Sequence, residues 1–299
     1  MAYKEHNLLE FQQRYSSDEA CLEAIARARW PHGFVCPKCG HDEGTRLNKR
    51  RAIQCANCRR QTSITAGTVF HKTKVPLRCW FWLIFLMTQD KGGISTMRAS
   101  SLLGMHYTTV WNLMHKLRIA MEDRLDGPML SGYVEIDDAY FGGKSRKKRG
   151  RGALNKKQVC VMVERLNRKA GDAAMVVLAT GKADDYQKAV DSRLEPMTHV
   201  RTDGLYRNSV LHGIAGKLNM DNIPTKGDHG PLENVDRIIS LAKRHLLGTY
   251  HQYCSRAHLQ RFLNEFCYRF NRRYGWYQLA SRLASACALH APIPYAAIS

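Results

Sequence analysis

The stretch Tyr133-Val-Glu-Ile-Asp-Asp-Ala-Tyr-Phe-Gly-Gly143 constrains this chain more than any other. It is rich in β-formers and closes on a glycine pair, which predicts a strand. Alternation puts Val134, Ile136 and Asp138 on one face, and Tyr133, Glu135, Asp137 and Ala139 on the other. Either way an acid falls in the middle of a segment that otherwise wants burial. A buried carboxylate is costly unless it is paired or holds a metal. An edge strand with one solvated face is the alternative, and the acids further along the chain weigh against it.

Charge narrows the class of partner. The chain has 299 residues, enough for two or three domains. Lys and Arg number 46 against 26 Asp and Glu, a formal charge of +20. That excess attracts polyanions, nucleic acid above all, with a basic membrane-surface protein as the rival. The longest apolar run, 79–87, is too short to span a bilayer and predicts a buried helix. Met-Ala-Tyr-Lys-Glu-His at the start holds no apolar signal region, so a cytoplasmic protein with reduced cysteines is expected.

Ser16-Ser-Asp-Glu19 has the form of a capping box, opening a short amphipathic helix that Trp30-Pro31 closes. Cys36-Pro-Lys-Cys39 and Cys55-Ala-Asn-Cys58 follow, separated by fifteen residues. Four thiolates in two such pairs close a tetrahedron around Zn²⁺. Cys21, Cys79, Cys160, Cys254, Cys267 and Cys287 lack that spacing and are expected to be core or surface thiols. The loop between the pairs and its flank carry Arg46, Lys49, Arg50, Arg51, Arg59 and Arg60. A ribbon so basic points to DNA; docking to a protein is the alternative.

Pro76 precedes a helix over 77–88 that is apolar almost all round, and Gly92-Gly93 breaks it. Ser95 then caps a helix through Leu103, Gly104 turns, and Thr108 caps a second helix to about Met121. This is helix-turn-helix spacing. Val110, Leu113, Met114, Leu117 and Met121 form its buried stripe, leaving Thr109, Asn112 and Lys116 on the opposite face to read a major groove. A plain helical hairpin has the same spacing.

The run 144–157 holds eight basic residues and no acid, with Arg146, Lys147, Lys148 and Arg149 at its centre. It is either solvated or laid along a phosphate backbone. Strands over 158–166 and 173–179, a helix over 184–194 and a strand over 199–202 follow, the last running into Asp203-Gly204. That order predicts an α/β fold, a mixed sheet with helices on its faces. It sets Asp137 mid-strand and Asp203 at a strand's C-terminal end, where such sheets place their sites. Gly230-Pro231 opens a helix carrying Asp236 and, seven residues on, Lys243. Seven residues make nearly two full turns, so both share one face, roughly 10 Å apart along the axis. An ordinary solvated helix face is the alternative, and Glu233 is the acid most easily confused with Asp236.

Taken together, the paired cysteines, 135–143, Thr202-Asp-Gly204, Asp236 to Lys243 with Gly248-Thr-Tyr-His251, and Asn264-Glu-Phe-Cys-Tyr-Arg-Phe-Asn-Arg-Arg273 resemble a known family. It is the ISXO-like group of bacterial insertion-sequence transposases, with an N-terminal zinc ribbon and an RNase H-like DDE catalytic domain. The resemblance implies a helix and ribbon over 1–72, a helix-turn-helix segment over 73–125, the RNase H-like domain over 130–275 and a tail over 276–299. It assigns the first two catalytic acids to Asp137 and Asp203 and the family's lysine to Lys243. At the third position the family carries Glu, Asn or His, and this chain has Asp236, a departure. It further implies Mg²⁺ or Mn²⁺ on Asp137, Asp203 and Asp236, double-stranded DNA as partner, and a homodimer or higher oligomer on that DNA. A non-catalytic DNA-binding regulator and an RNase H-like nuclease without strand transfer are the competing functions.

Overall fold

The computed structural model describes residues 7–47, 50–122, 129–142, 156–167, 169–202, 219–222, 232–250 and 257–298. In chain order these form α1 (Leu8–Arg14), α2 (Asp18–Arg29), β1 (Gly44–Leu47), β2 (Ala52–Cys55), β3 (Gln61–Ser63), α3 (Leu77–Gln89), α4 (Thr96–Leu103) and α5 (Tyr107–Ala120). Next come β4 (Tyr133–Gly142), β5 (Lys156–Leu166), β6 (Lys169–Val177), α6 (Ala183–Arg193), β7 (His199–Thr202) and β8 (Asn219–Asn222). The helices α7 (Glu233–Tyr250), α8 (Leu259–Asn271) and α9 (Leu279–Leu289) complete the set. The chain divides into two compact units, Met1–Asp126 with Tyr274–Ser299, and Gly127–Arg273. Among the described residues no helix is long and apolar enough to cross a membrane.

In the first unit the helices start within two residues of their sequence signals. Ser17, not Ser16, caps α2, its hydroxyl accepting the Ala20 N–H at 3.2 Å. Ser95 caps α4 by accepting from the Arg98 N–H, and Gly104 takes the left-handed φ of 60° that ends it. The second helix starts after His106, so Thr108 lies in its first turn and bonds the His106 ring at 2.8 Å instead of capping. Leu77, Trp80, Phe81, Leu83, Ile84 and Met87 bury α3 on nearly every side. Rings of α1 and its end close over it, Phe11 to Phe85 at 4.5 Å and Tyr15 to Phe81 at 4.7 Å.

Residues 276–299, read from sequence as a tail, supply α9 to this unit. It packs along α2, α3 and α5. Leu279, Leu283 and Cys287 recur every fourth residue and are all buried, as are Ile293 and Ile298 beyond the helix. Alanine, which makes the segment look featureless, is the best helix former. α5, which α9 also contacts, buries His115 and Arg118 besides the expected stripe of Val110, Leu113, Met114, Leu117 and Met121.

The second unit is a five-stranded mixed sheet in the order β6-β5-β4-β7-β8. The first three strands are antiparallel neighbours; β7 runs parallel to β4, and β8 parallel to β7. This is the expected RNase H-like α/β architecture, with β8 an addition to the strands read from sequence. Alternation along β4 sorts its side chains into two cores. Val134 and Ile136 join the α6 side with Cys160, Met162, Tyr186 and Val190. Ala139 and Phe141 join the α7 and α8 side with Val161, Val163, Ile238, Ala242, Leu263 and Phe266.

The outer edge of β6 is sealed by α8. Asn271 accepts the Ala173 N–H at 2.8 Å and donates to its carbonyl at 3.0 Å. Gln260 does the same one step along, accepting from Val177 at 2.7 Å and donating to Met175 at 2.8 Å. Two side-chain amides thus mimic a further strand, so the edge offers no row of unpaired backbone groups. Inside α8, Glu265 is fully buried, ion-paired to Arg269 at 3.1 Å and accepting from the Tyr250 hydroxyl of α7. The polar run of 264–273 is therefore a clamp between α7, α8 and β6.

Candidate functional site

The ribbon is a three-stranded antiparallel sheet whose two cysteine pairs, one before β1 and one at the end of β2, meet at the open end of its first hairpin. Gly40, at φ 72°, and Arg59, at φ 59°, turn the chain back just after each pair. The Gly40 and Arg59 N–H groups close these turns on the Cys36 and Cys55 carbonyls. The Cys58 N–H also points at the Cys55 sulfur, 3.5 Å away. Cys36 Sγ lies 3.6 Å from Cys58 Sγ, and Cys39 Sγ 3.6 Å from Cys55 Sγ. All four sulfurs fall within 4.8 Å of one another. Zinc–sulfur bonds of ~2.3 Å in a tetrahedron require S···S separations of about 3.8 Å, so the set fits zinc. Burial would raise the Cys36 thiol, but the Lys38 and Cys39 N–H groups and the Cys58 thiol outweigh it and hold it at about 6. Arg46 and Arg51 do not point away from the protein; they pair with Glu23 and Asp18 of α2 and pin the ribbon there.

Metal holds so small a module together, because its sheet buries little apolar surface of its own. Cys39→Ser is expected to lower bound zinc and to loosen residues 30–70 while leaving the Gly127–Arg273 unit folded. Metal analysis with hydrogen exchange reads both effects; zinc-free wild-type protein would sink this account of the ribbon.

Among the described residues the four cysteines are the one cluster of three or more metal-capable side chains within reach of a single ion. The acids read from sequence divide as follows. Asp137 is half-buried at the centre of β4, opposite Val161 of β5, and its carboxylate accepts the Asp138 N–H at 2.7 Å. Asp138, on the other face, accepts from Gln158 at 2.6 Å, and Gln158 also bonds the Tyr186 hydroxyl. Asp203 lies outside the described residues; its chain neighbour Thr202 pairs with Ile136, the neighbour of Asp137. Asp236 and Glu233 are both exposed in the first turn of α7. Lys243 is exposed on the same helix, its ammonium 5.7 Å from the centre of the Phe141 ring.

Glu135 is the residue whose role the sequence did not disclose. It is 2% exposed, on the α7 face of β4. One carboxylate oxygen accepts the N–H groups of Asn234 at 2.9 Å and Val235 at 3.1 Å; the other accepts the Asn234 side-chain amide at 3.0 Å. Those backbone groups are among the four that a helix start leaves unsatisfied. A strand carboxylate therefore caps α7 from outside, where the helix dipole favours negative charge. The only sequence signal was its position, two residues before Asp137 on the same face.

The positions assigned to DNA also divide. Thr109, Asn112 and Lys116 are half-buried, and burial lowers the Lys116 ammonium below its ordinary value. The most exposed part of α5 is its start, His106, Tyr107 and Thr108, the end that recognition helices turn to base edges. Arg146, Lys147, Lys148 and Arg149 lie outside the described residues.

Residues 16–61 match the model of a transposase zinc-ribbon domain, and residues 129–271 match that of an ISXO2-like transposase domain. The chain belongs to the ISXO2-like zinc-ribbon transposases. The ribbon match of this transposase ends just past Cys58, the last cysteine of the cluster, and its second match spans β4 to α8. The transposase is also 25% identical, over 247 residues, to a protein described as "Uncharacterized protein in transposable element ISH50" from Halobacterium salinarum. That similarity covers 73% of this transposase and 82% of its relative. No solved structure matches the chain.

Proposed function

We propose that this transposase cleaves DNA at the ends of its insertion sequence and joins the freed ends to target DNA, using Asp137, Asp203 and Asp236 as metal-binding acids. The observation that carries the reading is the attachment of α7 to β4 by Glu135. It ties the helix start next to Asp236 to the strand position two residues before Asp137. On α7, Asp236, Ser240 and Lys243 fall within about 60° of one another around the axis. The contact of Lys243 with Phe141 turns that stripe towards the face of β4 that carries Asp137.

Carboxylate oxygens suit a hard cation, Mg²⁺ or Mn²⁺, as the cysteines suit zinc. Two such ions, when bound, stabilise the attacking and leaving oxygens of an in-line phosphoryl transfer. In this reading Asp137 holds its ligand position from a rigid central strand. Asp236 approaches from α7, and Lys243 neutralises a DNA phosphate beside them. The double-stranded DNA partner follows from the family and the charge of +20. The ribbon and the start of α5 are its proposed readers, within a homodimer or higher oligomer assembled on the element ends in the cytoplasm.

The test is strand cleavage and joining of end-sequence DNA in Mg²⁺. Asp236→Asn is expected to lose most cleavage, with partial recovery in Mn²⁺, while Glu233→Gln stays within about twofold of wild type. Three residues are about 4.5 Å of helix rise, so Glu233 sits nearly one turn before Asp236, at the very start of α7. Loss in Glu233→Gln alone would transfer the third position to Glu233. Cleavage without joining would make the protein a nuclease, and binding without either a regulator.

A further inference from the structure

Upstream of Asp137 the same face of the sheet carries a cluster that the proposed chemistry leaves unused. Tyr133 of β4 pairs with His199 of β7, and Glu135 pairs with Arg201. Across the other edge of β4, Val134 pairs with Glu164, whose neighbour is Arg165. Tyr133, Val134, Glu135, Arg165 and Arg201 line a cavity of ≈ 300 Å³. Tyr133 is 58% exposed at its rim and stacks on His199, with ring centres 4.9 Å apart and planes at 20°. The wall thus combines two guanidinium groups, one buried carboxylate and an aromatic plate held by a second ring. The buried carboxylate is held in the wall by the N–H groups at the start of α7.

We infer that this cavity is a nucleotide subsite, in which Arg165 and Arg201 hold a DNA backbone phosphate and Tyr133 stacks against the attached base. Guanidinium forks match phosphate oxygens, and aromatic faces accept any base once it is unstacked. The inference rests on the proposed strand-processing reading and gives it a direction. Asp137 lies two residues beyond Glu135 and four beyond Tyr133 on the same strand face, roughly 7 Å and 14 Å along it. The strand that presents its scissile phosphate at Asp137 then places a neighbouring phosphate between the arginines. Its terminal bases are unpaired there, since a base within a duplex keeps its faces covered.

The experiment is equilibrium binding of fluorescent single-stranded and forked end DNA to the zinc-loaded protein without Mg²⁺, across a salt series. Arg165→Ala, at an exposed strand end, is expected to bind about tenfold more weakly, with a log–log salt slope shallower by about one. Tyr133→Ala is expected to lose about tenfold with the slope unchanged, and Tyr133→Phe to retain wild-type affinity. Walking a single neutral methylphosphonate along the strand locates the contact. At one position wild type should weaken to the level of Arg165→Ala or below it, and Arg165→Ala should lose less than wild type does, since only the Arg201 contact is left to lose. Equal affinity and slope for wild type and Arg165→Ala would overturn the subsite. So would an Arg165→Ala deficit undiminished at every methylphosphonate position. Wild-type cleavage of the same DNA in Mg²⁺ is scored separately. If the methylphosphonate coupling appears without cleavage, the catalytic reading fails and the subsite stands.

Discussion

Asp137→Asn is expected to abolish cleavage of end-sequence DNA while leaving DNA binding intact or tighter. The substitution keeps the shape of the side chain and one acceptor oxygen, so the Asp138 N–H keeps its partner. Removed is the negative charge that the proposed chemistry places beside the transferring phosphate. Charge stabilisation of several kcal/mol lost from a transition state slows a step by about a thousandfold or more. Binding moves the other way, because one fewer carboxylate repels the DNA backbone. A single titration and a cleavage time course on the same preparation separate the two. Parallel loss of binding and cleavage would make Asp137 a structural residue of β4 and remove it from the site.

Different parts of this molecule were legible to different degrees. The ribbon was readable because zinc coordination is local: two Cys-x-x-Cys pairs state the ligand set without reference to the rest of the fold. The faces of β4 were readable because alternation is a property of the strand alone. Val134 and Ile136 went to one core and Ala139 to the other, as the pattern required. Long-range covering was not readable. That α9 lies along α5 depends on the chain returning from residue 274 to its first unit, and no local pattern records that return. The run 264–273 could be matched as a motif, yet its physical work became clear only with the partners of Asn271, Glu265 and Arg269 in place. For the acids, sequence supplied candidates and a spacing; the tie between two of their elements came from Glu135, for which sequence offered only a position.

That tie has a measurable strength. Glu135→Ala would leave the Asn234 and Val235 N–H groups buried without their acceptor and would open a void beneath the start of α7. Losing a helix cap and stranding buried donors together cost roughly 3 kcal/mol. Glu135→Gln keeps one acceptor oxygen and the volume, but forfeits the charge that faces the helix dipole, a loss of about 1 kcal/mol. Thermal or urea unfolding should therefore rank wild type above Glu135→Gln, and Glu135→Ala last. Hydrogen exchange should localise the change to the first two turns of α7, since β4 keeps its ladders to β5 and β7 on both sides. Cleavage is expected to fall further than the folded fraction accounts for, because Asp236 rides on the turn that comes loose. An unfolding free energy for Glu135→Ala within about 0.5 kcal/mol of wild type, the range of an ordinary surface change, would mean that the cap does not hold α7 to the sheet.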